Sequence, residues 1–462
     1  MQSTTNLGYV LFLAATAATG GLLFGFDVAI ISGAGPFLKQ HFELDDLSYG
    51  FAFSALLFGC IIGSGVAGRL TDRFGRKRIL LWVAVLFALT SAATGLALNF
   101  HEFLAARFLG GLAVGAVSLV SPMYVSEVSP PALRGRLGTL YQMSIVTGIL
   151  VSYCINYLLR DLGPDNWRWM FMTGVIPSII FLGLLLLAPE TPRFLVMAGK
   201  RNEAFTILER IGGRASAELS MKEIAASLQE GVMERDGAWR TLLQPGIRRA
   251  LMVSFWLAIV IHFSGINTVI DYAPSIFQSA GWKLDAALLS TFVIGLANFL
   301  FTAVSFLTID RYGRRPLYIV GSIGMALSLL ALTIAVVTGR FHGGLVLVLI
   351  LAYLSFFASC IGPVFWTLVP EIFPNRIRGT AMIVPVLTQW VANAIVVLVF
   401  PSALHQLGQA TTFGFLAIVS LAQAFIAWRY LPETKNRPLE EIEGFWTRAA
   451  APMAPTLAKV ET

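Results

Sequence analysis

Twelve long apolar segments run through this chain, and a backbone inside lipid can satisfy its hydrogen bonds in very few ways. The segments lie at roughly 9–31, 50–68, 79–98, 102–123, 138–159, 168–188, 250–273, 286–309, 317–338, 344–369, 381–404 and 411–431, near the ~20 residues a helix needs to cross a bilayer. Lipid offers no hydrogen bonds, so a spanning segment is a helix or part of a closed barrel. Stretches this long and uniformly apolar read as helices. Only 13% of the 462 residues are charged, against 56% hydrophobic. A water-soluble surface needs more charge than that.

The net charge of +7 invites a nucleic-acid reading, but its placement argues for topology. Of 33 Lys and Arg, only Lys39, Arg160, Arg168, Lys283 and Arg340 lie in or beside the odd-numbered connections, and Arg107 lies inside a span. The other 27 fall on the opposite side, which places both termini and the even-numbered loops in the cytoplasm. The first apolar segment has no basic leader and no A-x-A cleavage pattern, so it reads as the first span. Cys60, Cys154 and Cys360 all fall within spans, without metal-ligand spacing, and read as small packing residues.

The sequence is duplicated. Asp72-Arg73-Phe74-Gly75-Arg76-Lys77 follows span 2, and Asp310-Arg311-Tyr312-Gly313-Arg314-Arg315 follows span 8. Glu127 and Arg134 close span 4, with the same seven-residue spacing as Glu371 and Arg378 at span 10. Pro-Glu-Thr ends span 6 at Glu190 and span 12 at Glu433. Corresponding landmarks are 238, 244 and 243 residues apart, so one six-helix unit occurs twice. The expected organisation is an N-terminal bundle at 1–189, a cytoplasmic amphipathic linker at 190–249, a C-terminal bundle at 250–431 and a tail at 432–462. Linker helices are expected at Arg193–Ile211, Met221–Glu230 and Ala238–Leu243, punctuated by Gly212-Gly213 and Pro245-Gly246.

The duplicated loops pair basic residues with acids at neighbouring helix ends. Asp72, Arg73, Arg76, Glu127, Arg134 and Glu190 in one half match Asp310, Arg311, Arg314, Glu371, Arg378 and Glu433 in the other. Each interfacial pair is weak alone. Together they are expected to hold the two half-bundles closed on the cytoplasmic side.

These motifs, with Gly21 through Asp27, Ser264-Gly265-Ile266-Asn267, Gly362-Pro363-Val364-Phe365-Trp366, Pro189-Glu190-Thr191-Pro192-Arg193 and Pro432-Glu433-Thr434-Lys435, resemble the sugar-porter branch of the major facilitator superfamily along essentially the whole chain. The resemblance implies an all-α polytopic fold of two six-helix pseudo-repeats with a cytoplasmic helical insert. It also implies alternating access with substrate near the bilayer midplane. By the same resemblance Gln142, Asn267, Asn298, Trp366, Gln389 and Trp390 line the substrate site. Amides serve sugar hydroxyls as donors and acceptors, and indole rings cover apolar ring faces.

Two charges lie within the first half's spans, Asp27 in span 1 and Arg107 in span 4. An ionised side chain at a span centre costs about 2.5–3.5 kcal/mol, so each needs a partner. A static pair accounts for this. The family's proton symporters carry Asp where Asp27 stands and its facilitators commonly Asn, so the resemblance implies alternate protonation and pairing. Span 7 departs from the family pattern, with His262 for one of two Gln and Asp271 for the first of two Tyr. Asn267 and Asp271, four residues apart, share a helical face, expected to be the substrate face, where Asp271 binds substrate hydroxyls or a cationic group, or titrates as a second proton site. His262 joins them only if the helix breaks near Gly265 or Pro274.

The expectation is proton-coupled import of a monosaccharide or related polyhydroxy compound, by a monomer in the bacterial inner membrane. The proton is the coupling ion, and no other cofactor, metal, nucleic acid or enzymatic chemistry is indicated. A proton-independent sugar or polyol facilitator, an exporter of organic cations using Asp271 as counter-charge, and a non-transporting sensor remain as alternatives. His41, His101, His342 and His405 read as solvated loop or span-end residues.

Overall fold

A computed structural model describes residues 6–130, 133–234, 242–373 and 378–435. The regular elements in these residues are helices: α1 Leu7–His41, α2 Asp46–Phe74, α3 Arg76–Leu96, α4 Phe100–Val128, α5 Arg134–Leu159, α6 Asn166–Met172 and α7 Val175–Leu187. Then come α8 Pro192–Met197, α9 Arg201–Gly212, α10 Arg214–Glu234, α11 Pro245–Phe263, α12 Ile266–Asp271 and α13 Ala273–Ser279. The last six are α14 Leu284–Tyr312, α15 Arg314–Val337, α16 Gly343–Cys360, α17 Gly362–Glu371, α18 Arg378–Gln406 and α19 Gln409–Tyr430. They supply twelve stretches long and apolar enough to cross a membrane.

Several starts follow from side-chain caps. Asn6 accepts from the Tyr9 N–H at 3.1 Å, Asp45 from Ser48 at 2.9 Å and Asn99 from Glu102 at 3.0 Å, each meeting a donor the first turn leaves unpaired. Lipid provides no hydrophobic drive between helices, so packing depends on close approach and polar contacts. In the first half α1 packs on α5 and α2 on α4. A Cβ at Gly25 would lie 1.9 Å from the Ile145 carbonyl oxygen, and one at Gly148 2.1 Å from that of Leu22. In the second half α15 packs on α19 and α16, and α11 on α18. The halves meet along α2 with α18 and α5 with α14.

Three spans that read as continuous in the sequence are interrupted. The sixth splits between α6 and α7 at Thr173-Gly174, and the tenth between α16 and α17 at Ile361, ahead of Gly362-Pro363. The seventh breaks at Gly265, whose φ of +90° is left-handed and natural only to glycine. The break near Gly265, named as a condition for His262 and Asp271 to share a cavity, is therefore present.

The linker also differs in detail. The expected 193–211 helix is divided at Gly199, φ +78°, into α8 and α9, and α10 is longer than expected. Of the expected 238–243 helix, residues 238–241 lie outside the described residues. Leu195, Val196 and Ala204 form a small core with Ile207, Met221, Ile224 and Leu228. The linker touches the start of α1, where Asn6 N–H donates to the Ile211 carbonyl at 2.9 Å and Arg210 stacks over the Tyr9 ring.

Gly25→Val forces branched volume against the α5 backbone. Overpacking of this kind costs about 1–3 kcal/mol, so the purified variant is expected to melt at a clearly lower temperature than the parent in detergent. An unchanged melting curve would contradict the α1–α5 contact.

Candidate functional site

The charged-loop end is organised twice in the same way. At Gly75 the chain turns with φ +95°, and α3 begins by aiming backbone N–H groups at Glu190. Arg76 N–H donates to Glu190 Oε1 at 3.0 Å, and Lys77 N–H to both oxygens at 3.0 and 3.1 Å. At Gly313, φ +87°, Arg314 and Arg315 N–H donate to Glu433 at 3.0 and 3.1 Å. A Cβ would sit 2.3 Å from Glu190 at Gly75 and 2.6 Å from Glu433 at Gly313, so glycine is required by both φ and space. The Arg76 guanidinium meets Glu127 at 3.0 Å and Asp72 at 3.7 Å, and Arg314 meets Glu371 at 3.2 Å.

These contacts correct the sequence reading in three respects. Glu190 and Glu433 act on helix-start N–H groups rather than on arginine side chains. Among the described residues the clamp contacts lie within each half. Arg73 and Arg311 turn outward, over Phe74 and Tyr312 respectively, because positions three residues before Arg76 and Arg314 leave the helix on another side of the loop. The side chains of Arg134, Asp310 and Arg378 lie outside the described residues.

Deep in the first half, Arg107 is 2% exposed and Asp27 8%. Arg107 Nη1 donates to Asp27 Oδ1 at 2.7 Å and Nη2 to the Asp27 carbonyl at 3.1 Å. The guanidinium lies 5.2 Å from the Phe171 ring centroid, while its buried Nε has no hydrogen-bond partner. A charge-assisted bond of this length, away from water, is strong. Removing one member leaves the other charge uncompensated.

Between the halves, the break at Gly265 lets Asn267 turn back on His262, its amide 3.5 Å from Nδ1. Gln389 approaches the same imidazole, whose Nε2 is left without a partner. Trp390 lies 5.8 Å from Phe24, ring to ring across the halves, and its indole N–H is also unpartnered. The structure thus brings together His262, Asn267 and Gln389, with Trp390 next to Gln389 in the sequence and against Phe24. Gln142 is half-buried on α5 and Asn298 buried on α14, two helices that pack together, and neither hydrogen-bonds to that group. Trp366 is 43% exposed with its ring against Phe365. Asp271 is buried at the end of α12.

The end opposite the charged loops is closed by an aromatic seal that sequence reasoning missed. Tyr272 stacks on Phe53 at 4.3 Å and Phe400 at 5.4 Å, with Tyr49 at 5.6 Å. Ser32 donates to the Ile270 carbonyl at 3.1 Å, and Tyr272 OH to that of Val397 at 3.0 Å. Beyond the seal lies a cavity of about 780 Å³, lined in part by Tyr49, Tyr272, Ser275 and Gln278. Two polar contacts cross the halves here, Asp46 Oδ2 with His405 Nδ1 at 2.9 Å and the ion pair of Arg160 with Asp285 at 3.2 Å. His405, read as merely solvated, has a partner. The signal that was available is the aromatic spacing in α2 and α12–α13, since Tyr49 and Phe53 share a face.

The sequence model of the sugar (and other) transporter family matches residues 13–446. The chain belongs to this family. Among its transporters, the arabinose-proton symporter of Bacillus subtilis (strain 168) is 36% identical over 449 residues, covering 96% of each chain. The glucose facilitated diffusion protein of Zymomonas mobilis is 37% identical over 477 residues, covering 96% of this chain and 99% of that one. The inward open conformation of the xylose transporter XylE from E. coli superposes with a TM-score of 0.84 at 34% identity, covering 95% of this chain and 100% of that one. A sealed end opposite the charged loops accords with that conformation.

Glu190→Gln retains shape but removes the charge at the α3 start. Hydrogen bonds to charged groups contribute about 1.5–3 kcal/mol and neutral ones about 1. A fall in stability of about 1–2 kcal/mol is therefore expected, read as a lower melting temperature, with Glu433→Gln giving a matching drop. Unequal effects, with one variant unchanged, would break the equivalence of the two clamps.

Proposed function

We propose that this protein imports a monosaccharide or related polyhydroxy compound together with a proton, by alternating access. The observation that carries the reading is the buried Asp27–Arg107 pair. A carboxylate held by a guanidinium in an apolar bundle favours ionisation while paired and protonation when the pair opens, which links proton binding to conformation. The names of the arabinose and xylose relatives support the substrate class.

In this reading residues 1–189 and 250–431 move as two units, with 190–249 as the cytoplasmic linker and 432–462 as the tail. The charged loops face the cytoplasm, the aromatic seal faces outside, and the membrane is a bacterial inner membrane. His262, Asn267, Gln389 and Trp390 bind the sugar, with Gln142, Asn298, Asp271 and Trp366 reached as the chamber changes shape. The clamps of Arg76 with Glu127 and Glu190, and of Arg314 with Glu371 and Glu433, brace each unit so that closure is transmitted along whole helices. One chain holds the full pathway, so a monomer suffices.

The facilitator among the relatives favours a second reading, transport down a gradient without protons. Proteoliposomes assayed with labelled pentoses, hexoses, polyols and inositols, with and without a pH gradient, separate the two. Symport requires accumulation that a protonophore abolishes, whereas equilibration alone supports the facilitator.

Asp27→Asn is expected to abolish accumulation yet retain exchange of labelled for unlabelled sugar. Accumulation that still responds to pH in this variant would remove Asp27 from the coupling role. Gln389→Ala removes one of the two amides beside His262 and is expected to raise the KM for exchange about tenfold, the equivalent of ~1.4 kcal/mol, with a smaller effect on maximal rate.

A further inference from the structure

Arg107 engages only one side-chain oxygen of Asp27. Oδ1 accepts from the guanidinium at 2.7 Å, whereas Oδ2 has no hydrogen-bond partner among the described residues. The Asp27 side chain keeps 11% of its surface, against 2% for Arg107. Buried polar atoms are normally satisfied, so the free oxygen marks where a small polar molecule can meet the pair.

Oδ2 faces the interface of α3 and α4. A Cβ built at Gly110 would lie 3.5 Å from Asp27 Oδ2 and 3.4 Å from Thr90 Oγ1. The absent side chain therefore leaves a recess flanked by two oxygens from different helices. Thr90 is buried and gives its proton to the Leu86 carbonyl at 2.8 Å, so its lone pairs remain able to accept. Ser91, beside it, is buried with a hydroxyl that has no partner among the described residues, next to Gly174 at the interruption of the sixth span. Thr94 repeats the Thr90 hydroxyl one turn further along α3.

The charged or titratable groups toward Asp27 from the elements around it are Arg107 on α4, Cys60 on α2 and, by way of Arg107, Asp271 on α12. On α5, which meets α1 beside Phe26 at Gly148, Tyr141 lies at Gly21 and Tyr153 at Gly295. The charges of α3 stand in its first turn, and Arg168 of α6 is held by Asp165 and the Gly95 and Ala97 carbonyls.

We propose that the proton reaches Asp27 at Oδ2 through one water molecule seated between Gly110 and Thr90. A carboxylate can be served across a single water, and a recess with two oxygen partners suits one. An O–H bond of that water breaks as the Oδ2–H bond forms, and the water regains a proton from the solvent side. Neutralised, Asp27 loosens its hold on Arg107, and the reverse transfer restores the pair. Gly110 is a positioning residue: any larger side chain there puts atoms on the approach to Oδ2. The inference rests on the symport reading for its purpose, but the route itself is also tested without transport.

A methyl at 110 makes ordinary contacts, so Gly110→Ala is expected to melt as the parent does. In proteoliposomes with an inward proton gradient, Gly110→Ala and Thr90→Val are expected to slow accumulation about tenfold. Exchange of labelled for unlabelled sugar needs no net proton movement and is expected to stay at the parent rate. Gly110→Ser, nearly as small but with a hydroxyl that can pass the proton, is expected to restore accumulation. Equal loss of exchange assigns Gly110 to packing and overturns the inference, as does an unchanged rate, or Gly110→Ser as slow as Gly110→Ala. Time-resolved infrared absorption after a pH jump follows the protonated carboxyl of Asp27, identified by its loss in Asp27→Asn. Its rise is expected to be about tenfold slower in Gly110→Ala than in the parent or Gly110→Ser, and equal rates overturn the inference. A parent without proton-driven accumulation ends the symport reading, and the infrared rates then decide the route alone. If Asp27 shows no protonation either, both readings fall.

Discussion

A guanidinium cannot discard its charge by losing a proton at any physiological pH. Placed at Arg107, inside an apolar bundle and 2% exposed, it obliges the surrounding structure to keep a negative or strongly polar group beside it in every conformation. Asp27 meets that obligation with a side-chain oxygen and its own carbonyl. Protonation of Asp27 therefore has consequences beyond one hydrogen bond, because the guanidinium must then find other acceptors. A small chemical event is thereby converted into a helix-scale one, since Asp27 sits on α1 and Arg107 on α4, two helices at the centre of the first half.

The two halves divide the work differently despite their common origin. Their charged-loop ends are near copies: a left-handed glycine, two backbone N–H groups and a carboxylate from just beyond the sixth or twelfth span. Their membrane interiors diverge. The first half is pinned by a buried ion pair, the second by a helix broken at Gly265 and bearing His262, Asn267 and Asp271. Rigid bracing was retained in both copies, whereas the polar groups inside the membrane were free to diverge.

Much of the fold was legible because lipid is a demanding solvent. Span number follows from apolar length, and duplication from charged landmarks. The Asp27–Arg107 pairing was legible for the same reason, since each residue is costly alone. What escaped notice were interactions whose partners are backbone groups. Sequence shows Glu190 as a charge near Arg76, but not that α3 starts by aiming its N–H groups at it. The break at Gly265 was foreseeable from its glycine, while the interruption at Ile361 depends on how Gly362-Pro363 seats against neighbouring helices. The aromatic seal was invisible as a unit because Tyr49, Phe53, Tyr272 and Phe400 come from three separate regions.

The position of the two clamping carboxylates has a consequence for biogenesis. Glu190 is made before the second half begins, so the first six spans acquire every group of their own clamp early and can settle while synthesis continues. Glu433 and Thr434, which bond Arg314 and Glu371, come after the twelfth span. The second bundle is therefore left unlatched until almost the whole polypeptide has been made. Domains completed during synthesis fold in order of their emergence, so each half is latched only once the residues just beyond its own last span have been made.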